Sequence, residues 1–104
     1  MKKVALITGA GSGIGQALAM ELADKGCSLA LIDWNEKALE ETKSFLSNKN
    51  IAVSTHVLDV SDRDKVNELP DRVLEKHNTV DLIFNNAGLS VVGSVDEIDK
   101  EDWD

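Results

Sequence analysis

The chain contains no tyrosine, one proline and one cysteine, and its aromatic residues are two tryptophans and two phenylalanines. Each shortage excludes something. Without a tyrosine, the chain has no phenol to serve as a proton donor or acceptor. A single cysteine, Cys27, rules out an internal disulfide and suits a reducing compartment. Set between Gly26 and "SLALID", it reads as a small core residue rather than a catalytic thiol. Basic residues are also scarce, 11 against 19 acidic ones, for a formal charge of −8. Such a surface repels nucleic acid and anionic membranes at long range. No apolar run nears the roughly 20 residues that span a bilayer, and "MKKVALITGAG" lacks the length of a signal peptide's apolar region. The expected location is the cytoplasm. His56 and His77 have no partner at metal-ligand spacing, so both read as structural or surface residues and no metal is expected. The acidic "DEIDKEDWD" at 96–104 has no calcium-loop spacing and reads as the start of a solvated helix capped by Asp99.

What is present alternates. "KKVALIT" (2–8) is an unbroken apolar run, as in a strand covered on both faces. From Ile14 to Lys25, Ile14, Leu18 and Leu22 recur every fourth residue with Ala17 beside them, which predicts a helix ended by Gly26. "SLALID" (28–33) is a second buried strand. Residues 35–49 predict a helix capped by Asn35, with Ala38, Leu39, Thr42, Phe45 and Leu46 on one side. "IAVSTHVLDV" (51–60) is rich in β-branched residues and reads as strand three. Residues 61–77 place Val66, Leu69 and Val73 at helical spacing, with a kink or break expected at Pro70. "TVDLIFNNAG" (79–88) reads as strand four running into a turn. Strands alternating with helices over short connections make a Rossmann-type, doubly wound parallel α/β sheet. Its expected order is 3-2-1-4, in one domain over residues 1–104.

In that order ligands bind where the strand order reverses, beside the end of strand one. There the chain reads "TGAGSGIG", Thr8 to Gly15. Glycine permits a tight turn and close approach of main chain to a ligand. The helix that follows presents free N–H groups and partial positive charge, which favours a diphosphate. The nucleoside-triphosphate loop is excluded, since no lysine occurs between Lys3 and Lys25. G-x-G-x-x-G fails too, because its last position falls on Ile14 or Gln16. The pattern that fits is T-G-x-x-x-G-I-G, with Gly9, Gly13 and Gly15.

With that spacing the chain resembles the short-chain dehydrogenase/reductase family, and three further stretches agree along its whole length: "LID" at Asp33, "LDV" at Asp59 and Val60, and "NNAG" at 85–88. The resemblance implies a dinucleotide site built from Thr8, Gly9, Gly11, Ser12, Gly13, Ile14, Gly15, Asp33, Trp34, Asp59, Val60, Asn86, Ala87 and Gly88. Asp33 follows Gly15 by 18 residues, near the roughly 20 expected of the acid that holds the adenosine ribose. A carboxylate there repels the 2′-phosphate of NADP, and no lysine or arginine stands at Ala10, Ser12, Trp34 or Asn35 to offset it. NAD is the expected cofactor. By resemblance, Asp59 meets the adenine amino group, Val60 packs near its ring, and Asn86 ties the central strands together beside the cofactor.

The family transfers hydride between nicotinamide and a carbonyl or alcohol carbon, with a tyrosine as acid/base, a lysine four residues later, a substrate-orienting serine and an asparagine. None of these can be placed here; Ser90 and Ser94 come too early, and no catalytic residue is assigned. The expectation is an N-terminal piece of an NAD-dependent oxidoreductase, with the small-molecule substrate site in the remainder. The alternatives are a non-enzymatic NAD-binding or interaction module, or a piece that folds but binds little. An unpaired strand four predicts self-association through residues 81–86.

Overall fold

The computed structural model describes residues 3–59 and 61–86. Its elements run β1 (Val4–Thr8), α1 (Gly13–Asp24), β2 (Ser28–Asp33), α2 (Glu36–Phe45), β3 (Val53–Val57), α3 (Arg63–His77) and β4 (Leu82–Asn85). All pairings are parallel, in the order β3-β2-β1-β4, which is the expected topology.

Alternation along the two central strands divides the core. Ala5, Ile7, Leu29 and Leu31 point to one face and pack with Ala19, Leu22 and Ala23 of α1 and Leu39 of α2. Leu6, Ala30 and Ile32 point to the other and meet Val66, Leu69 and Val73 of α3. The leucine, isoleucine and valine side chains among these contribute about 1.5–3 kcal/mol each when fully buried, so both faces of β1 and β2 are clamped. That double burial is why these strands show no apolar–polar alternation. Cys27 is half-buried against the α1/α2 side of the core.

Three local expectations need correction. The buried face of α1 is Gly15, Ala19, Leu22 and Ala23, while Ile14 and Ala17 are exposed and Leu18 is half-buried. The first turn lies so close to the glycine turn that Gly15 must be small there, which turns Ile14 outward while Leu22, further along, still reaches the core. Helix α2 stops at Phe45, which is exposed, because Leu46 caps it and "SNKN" follows; serine and asparagine compete for main-chain hydrogen bonds. Helix α3 runs through Pro70 without a break. The ring is buried on the same face as Leu69 and Val73, and the burial of that face keeps α3 continuous although Pro70 has no N–H to donate to the carbonyl of Val66.

The ends of α1 and α2 follow the sequence. Gly26 adopts φ 87° after α1, and the amide of Cys27 donates back to the carbonyl of Leu22 at 3.0 Å, the usual left-handed helix stop. The Asn35 side chain accepts from the amide of Ala38 at 3.1 Å and caps α2. His56 and His77, 21 residues apart in sequence, are brought together on the α3 side by Ser54. Its hydroxyl lies 2.9 Å from Nε2 of His56 and 2.7 Å from Nε2 of His77.

Candidate cofactor site

The carboxyl ends of β1, β2 and β4 meet around the glycine turn. Thr8, fully buried, closes β1 and donates from Oγ1 to Oδ1 of Asn85 at 2.8 Å, joining the ends of β1 and β4. Gly9 then takes φ 67°, a left-handed conformation that favours glycine. The turn is held from several sides. The amide of Ala10 donates to the carbonyl of Ile32 at 3.0 Å. Its carbonyl accepts from the buried hydroxyl of Thr42 on α2 at 2.9 Å.

Ser12 is the hub. Its hydroxyl donates to the carbonyl of Gly9 at 2.8 Å and accepts from the amide of Gly15 at 3.1 Å, capping α1. Asn86, just past β4, donates from Nδ2 to the same hydroxyl at 2.9 Å and to the carbonyl of Gly9 at 3.3 Å. These bonds link the residue just past β4 to the glycine turn that follows β1. Ser12 was expected in the site through the resemblance, but its bridging role was not legible in the sequence.

Two glycines are required by space. A Cβ on Gly15 would overlap the carbonyl oxygen of Gly9 and lie 2.9 Å from Cα of Ala10, so this glycine sets how closely α1 approaches the turn. A Cβ on Gly11 would lie 2.5 Å from Cβ of Ala38 and 2.9 Å from Oδ2 of Asp33. Gly13 differs, for a Cβ there would meet nothing within 4 Å. Its amide and that of Ile14 are the first two of α1 and cannot bond within the helix. Neither has a partner among the described residues. Two free donors at a helix N-terminus, beside open space, suit an anion.

Asp33 closes β2 next to this turn. Its Oδ2 accepts from the amide of Gly11 at 2.9 Å and its Oδ1 from the amide of Asn35 at 3.0 Å. The acid thus braces the turn and starts the path into α2. Each carboxylate oxygen keeps a further lone pair, so the same group can accept from ribose hydroxyls. Trp34 and Ile14 stand at the rim with 72% and 74% of their surfaces exposed, large apolar groups with room for a flat ring beside them. Asp59, exposed beyond β3, accepts from the amide of Ser61 at 2.9 Å and from its hydroxyl at 2.7 Å. These bonds, the amide first, hold its carboxyl below the usual range.

Of the residues expected in the site, Thr8, Gly9, Gly11, Ser12, Gly13, Ile14, Gly15, Asp33, Trp34 and Asn86 gather at the ends of β1, β2 and β4, while Asp59 follows the neighbouring β3. Val60, Ala87 and Gly88 lie outside the described residues, as do Asp99 and the acidic stretch 96–104. No group of three or more metal-ligating side chains occurs among the described residues. No helix among them is long and apolar enough to cross a membrane.

Known proteins share both sequence and fold. The chain is 40% identical over 101 residues to meso-2,3-butanediol dehydrogenase of Serratia marcescens, covering 97% of this chain and 39% of that enzyme. The structure superposes on NAD+-bound xylitol dehydrogenase with a TM-score of 0.79 at 40% identity, covering 83% of this chain and 33% of the other. An alcohol dehydrogenase of Thermococcus sibiricus complexed with 5-hydroxy-NADP gives a TM-score of 0.74 at 40% identity, over 80% and 36% of the two chains. The chain spans 36% to 44% of the length of curated relatives. The profile of the short chain dehydrogenase family matches residues 3–104, and the chain belongs to that family.

Proposed function

We propose that the chain forms the adenosine–diphosphate half of the NAD site of a short-chain oxidoreductase. The whole protein would move hydride between nicotinamide and a carbonyl or alcohol carbon of a small molecule. One observation carries the reading: the amides of Gly13 and Ile14 at the start of α1 have no partner among the described residues, beside a carboxylate, Asp33, that is anchored to the same turn. The two amides would hold the diphosphate. Asp33 would accept from the ribose hydroxyls, and Trp34 and Val60 would flank the adenine, with Asp59 near its amino group. Asn86, Ala87 and Gly88 would border the nicotinamide side. NAD, when bound, supplies the hydride acceptor.

Solved relatives carry NAD+ in one case and an NADP derivative in another, so a nicotinamide dinucleotide is the shared ligand class. Asp33 favours NAD within it. A 2′-phosphate would be placed against a carboxylate, and Ala10, Ser12, Trp34 and Asn35 provide no cation. Supplying the proton-transfer group falls to sequence outside these 104 residues, which contain no tyrosine. The cytoplasm, suggested by the lone unpaired Cys27, and assembly as more than one copy complete the proposal.

Calorimetric titration with NAD, NADP and ADP-ribose tests it. NAD and ADP-ribose should bind alike, NADP at least tenfold more weakly, and purified material should reduce no carbonyl substrate. Equal affinity for NAD and NADP contradicts the role given to Asp33. Absence of binding by all three removes the site, and measurable turnover removes the claim that the proton donor lies elsewhere.

A further inference from the structure

Strand β3 lies at the edge of the sheet. The amide of Leu29 donates to the carbonyl of Ala52 at 2.9 Å, and the amide of Leu58 to the carbonyl of Asp33 at 3.0 Å. In a parallel ladder a bonding residue directs both its N–H and its C=O to the same neighbour. The even positions 52 to 58 therefore face β2. Val53, Thr55 and Val57, the odd ones, direct their N–H and C=O groups away from the sheet, where no strand pairs with them among the described residues.

Helix α3 runs beside this bare edge. Between them lies a groove of about 210 Å³, with Thr55, His56 and Val57 on the strand side and Lys65, Leu69 and Arg72 on the helix side. An adjoining groove of about 180 Å³ shares Thr55, His56 and Arg72 and adds Glu75 and Lys76. Lys65, Leu69, Arg72 and Lys76 follow one another at intervals of 4, 3 and 4 residues, a single stripe of the helix. At 1.5 Å per residue the stripe is about 16 Å long, the length of roughly five residues of strand. Three of its four members are cationic, on a chain of formal charge −8. Glu68 holds Arg72 at 3.2 Å, but both are exposed, and such pairs contribute little and exchange readily.

We propose that the outer edge of β3 accepts an added strand: an extended, acidic segment of a partner protein. Its main chain pairs with Val53, Thr55 and Val57, and carboxylates on its alternate residues meet Lys65, Arg72 and Lys76. A small anion would use the N–H groups alone and leave the carbonyls and most of the stripe unmet. A second copy of β3 would bring two basic stripes together, and like charges disfavour that pairing. The site stands apart from the glycine turn and does not depend on the cofactor reading.

The test is a titration of the 15N-labelled chain with acetyl-Glu-Val-Glu-Val-Glu-amide. Its Gln-Val counterpart, a version N-methylated on alternate residues, and inorganic phosphate serve as comparisons. The amides of Val53, Thr55 and Val57 should shift with the acidic peptide. Binding should weaken at least tenfold for the Gln-Val peptide and vanish on N-methylation. Lys65→Glu with Arg72→Glu, both exposed positions, should reproduce the loss; should that variant fold poorly, the peptide series on the native chain decides. Equal binding of the neutral peptide, shifts confined to other residues, or no binding at millimolar peptide would overturn the proposal. So would phosphate producing the same shifts while the peptide produces none.

Discussion

Replacing Gly15 by alanine tests how the glycine turn and α1 are fitted together. The new methyl group would overlap the carbonyl oxygen of Gly9 and lie 2.9 Å from Cα of Ala10, where carbon atoms prefer about 3.5–4.0 Å. Both obstacles are main chain, so no rotamer change relieves them, and α1 must retreat by about 1 Å. Overpacking of this kind costs about 1–3 kcal/mol. Alanine's helix propensity offsets at most about 1 kcal/mol of that. The expected net loss is about 1–2 kcal/mol, a fall in Tm of roughly 4–16 °C, read by thermal or urea denaturation. Gly13→Ala is the control, because nothing lies within 4 Å of its Cβ position. It should alter stability by less than about 0.5 kcal/mol while weakening ADP-ribose binding, since its methyl enters the space assigned to the diphosphate. Equal stability of the two variants would refute the argument from close approach, and unimpaired binding by the Gly13 variant would move the diphosphate elsewhere.

Three further outcomes are expected. Burial first, then the charges of His77, Arg72 and Lys76, pushes the pKa of His56 down from 6.5 to about 4, and burial lowers His77 as well. A lowered folded-state pKa means stability present above the unfolded value and lost as pH falls, so stability should decline from about pH 6.5 toward 4; His56→Gln should flatten that decline in urea denaturation, and an unchanged slope would contradict it. Pro70→Ala should stabilise by about 1 kcal/mol: restored helix propensity of about 3 kcal/mol exceeds the lost ring burial and the looser unfolded chain, and a lower Tm would show that ring packing dominates. The outer edge of β4, with no strand paired to it among the described residues, should drive self-association through residues 81–86; a concentration-independent monomer in sedimentation would count against this.

The sheet order was legible because β1 and β2 are mostly apolar and each connection between strands is long enough to hold a crossover helix. The phase of α1 was not. Ile14, Leu18 and Leu22 carry the larger apolar groups, so a pattern based on hydrophobicity selects all three, whereas the close approach at Gly15 brings Ala19 and Ala23 in beside Leu22 and leaves Ile14 exposed. The absence of a break at Pro70 was not legible either: the local cost of proline is readable in sequence, and the burial of the whole α3 face that keeps the helix continuous is not. The main parts of the site were readable, since glycine spacing and the acid at the end of β2 are local features. Its bracing was not, because the bonds from Asn86 to Ser12 and from Thr42 to Ala10 join residues far apart in the chain. The same holds for Ser54 between two histidines.

The central claim is that a diphosphate rests on the first amides of α1. The most direct measurement is a titration of the 15N-labelled chain with ADP-ribose, following the amides of Gly13 and Ile14. Saturable shifts are expected at these two amides, largest of all in the chain, and should be lost in Gly13→Ala. Binding that leaves both amides unmoved while others shift would contradict it.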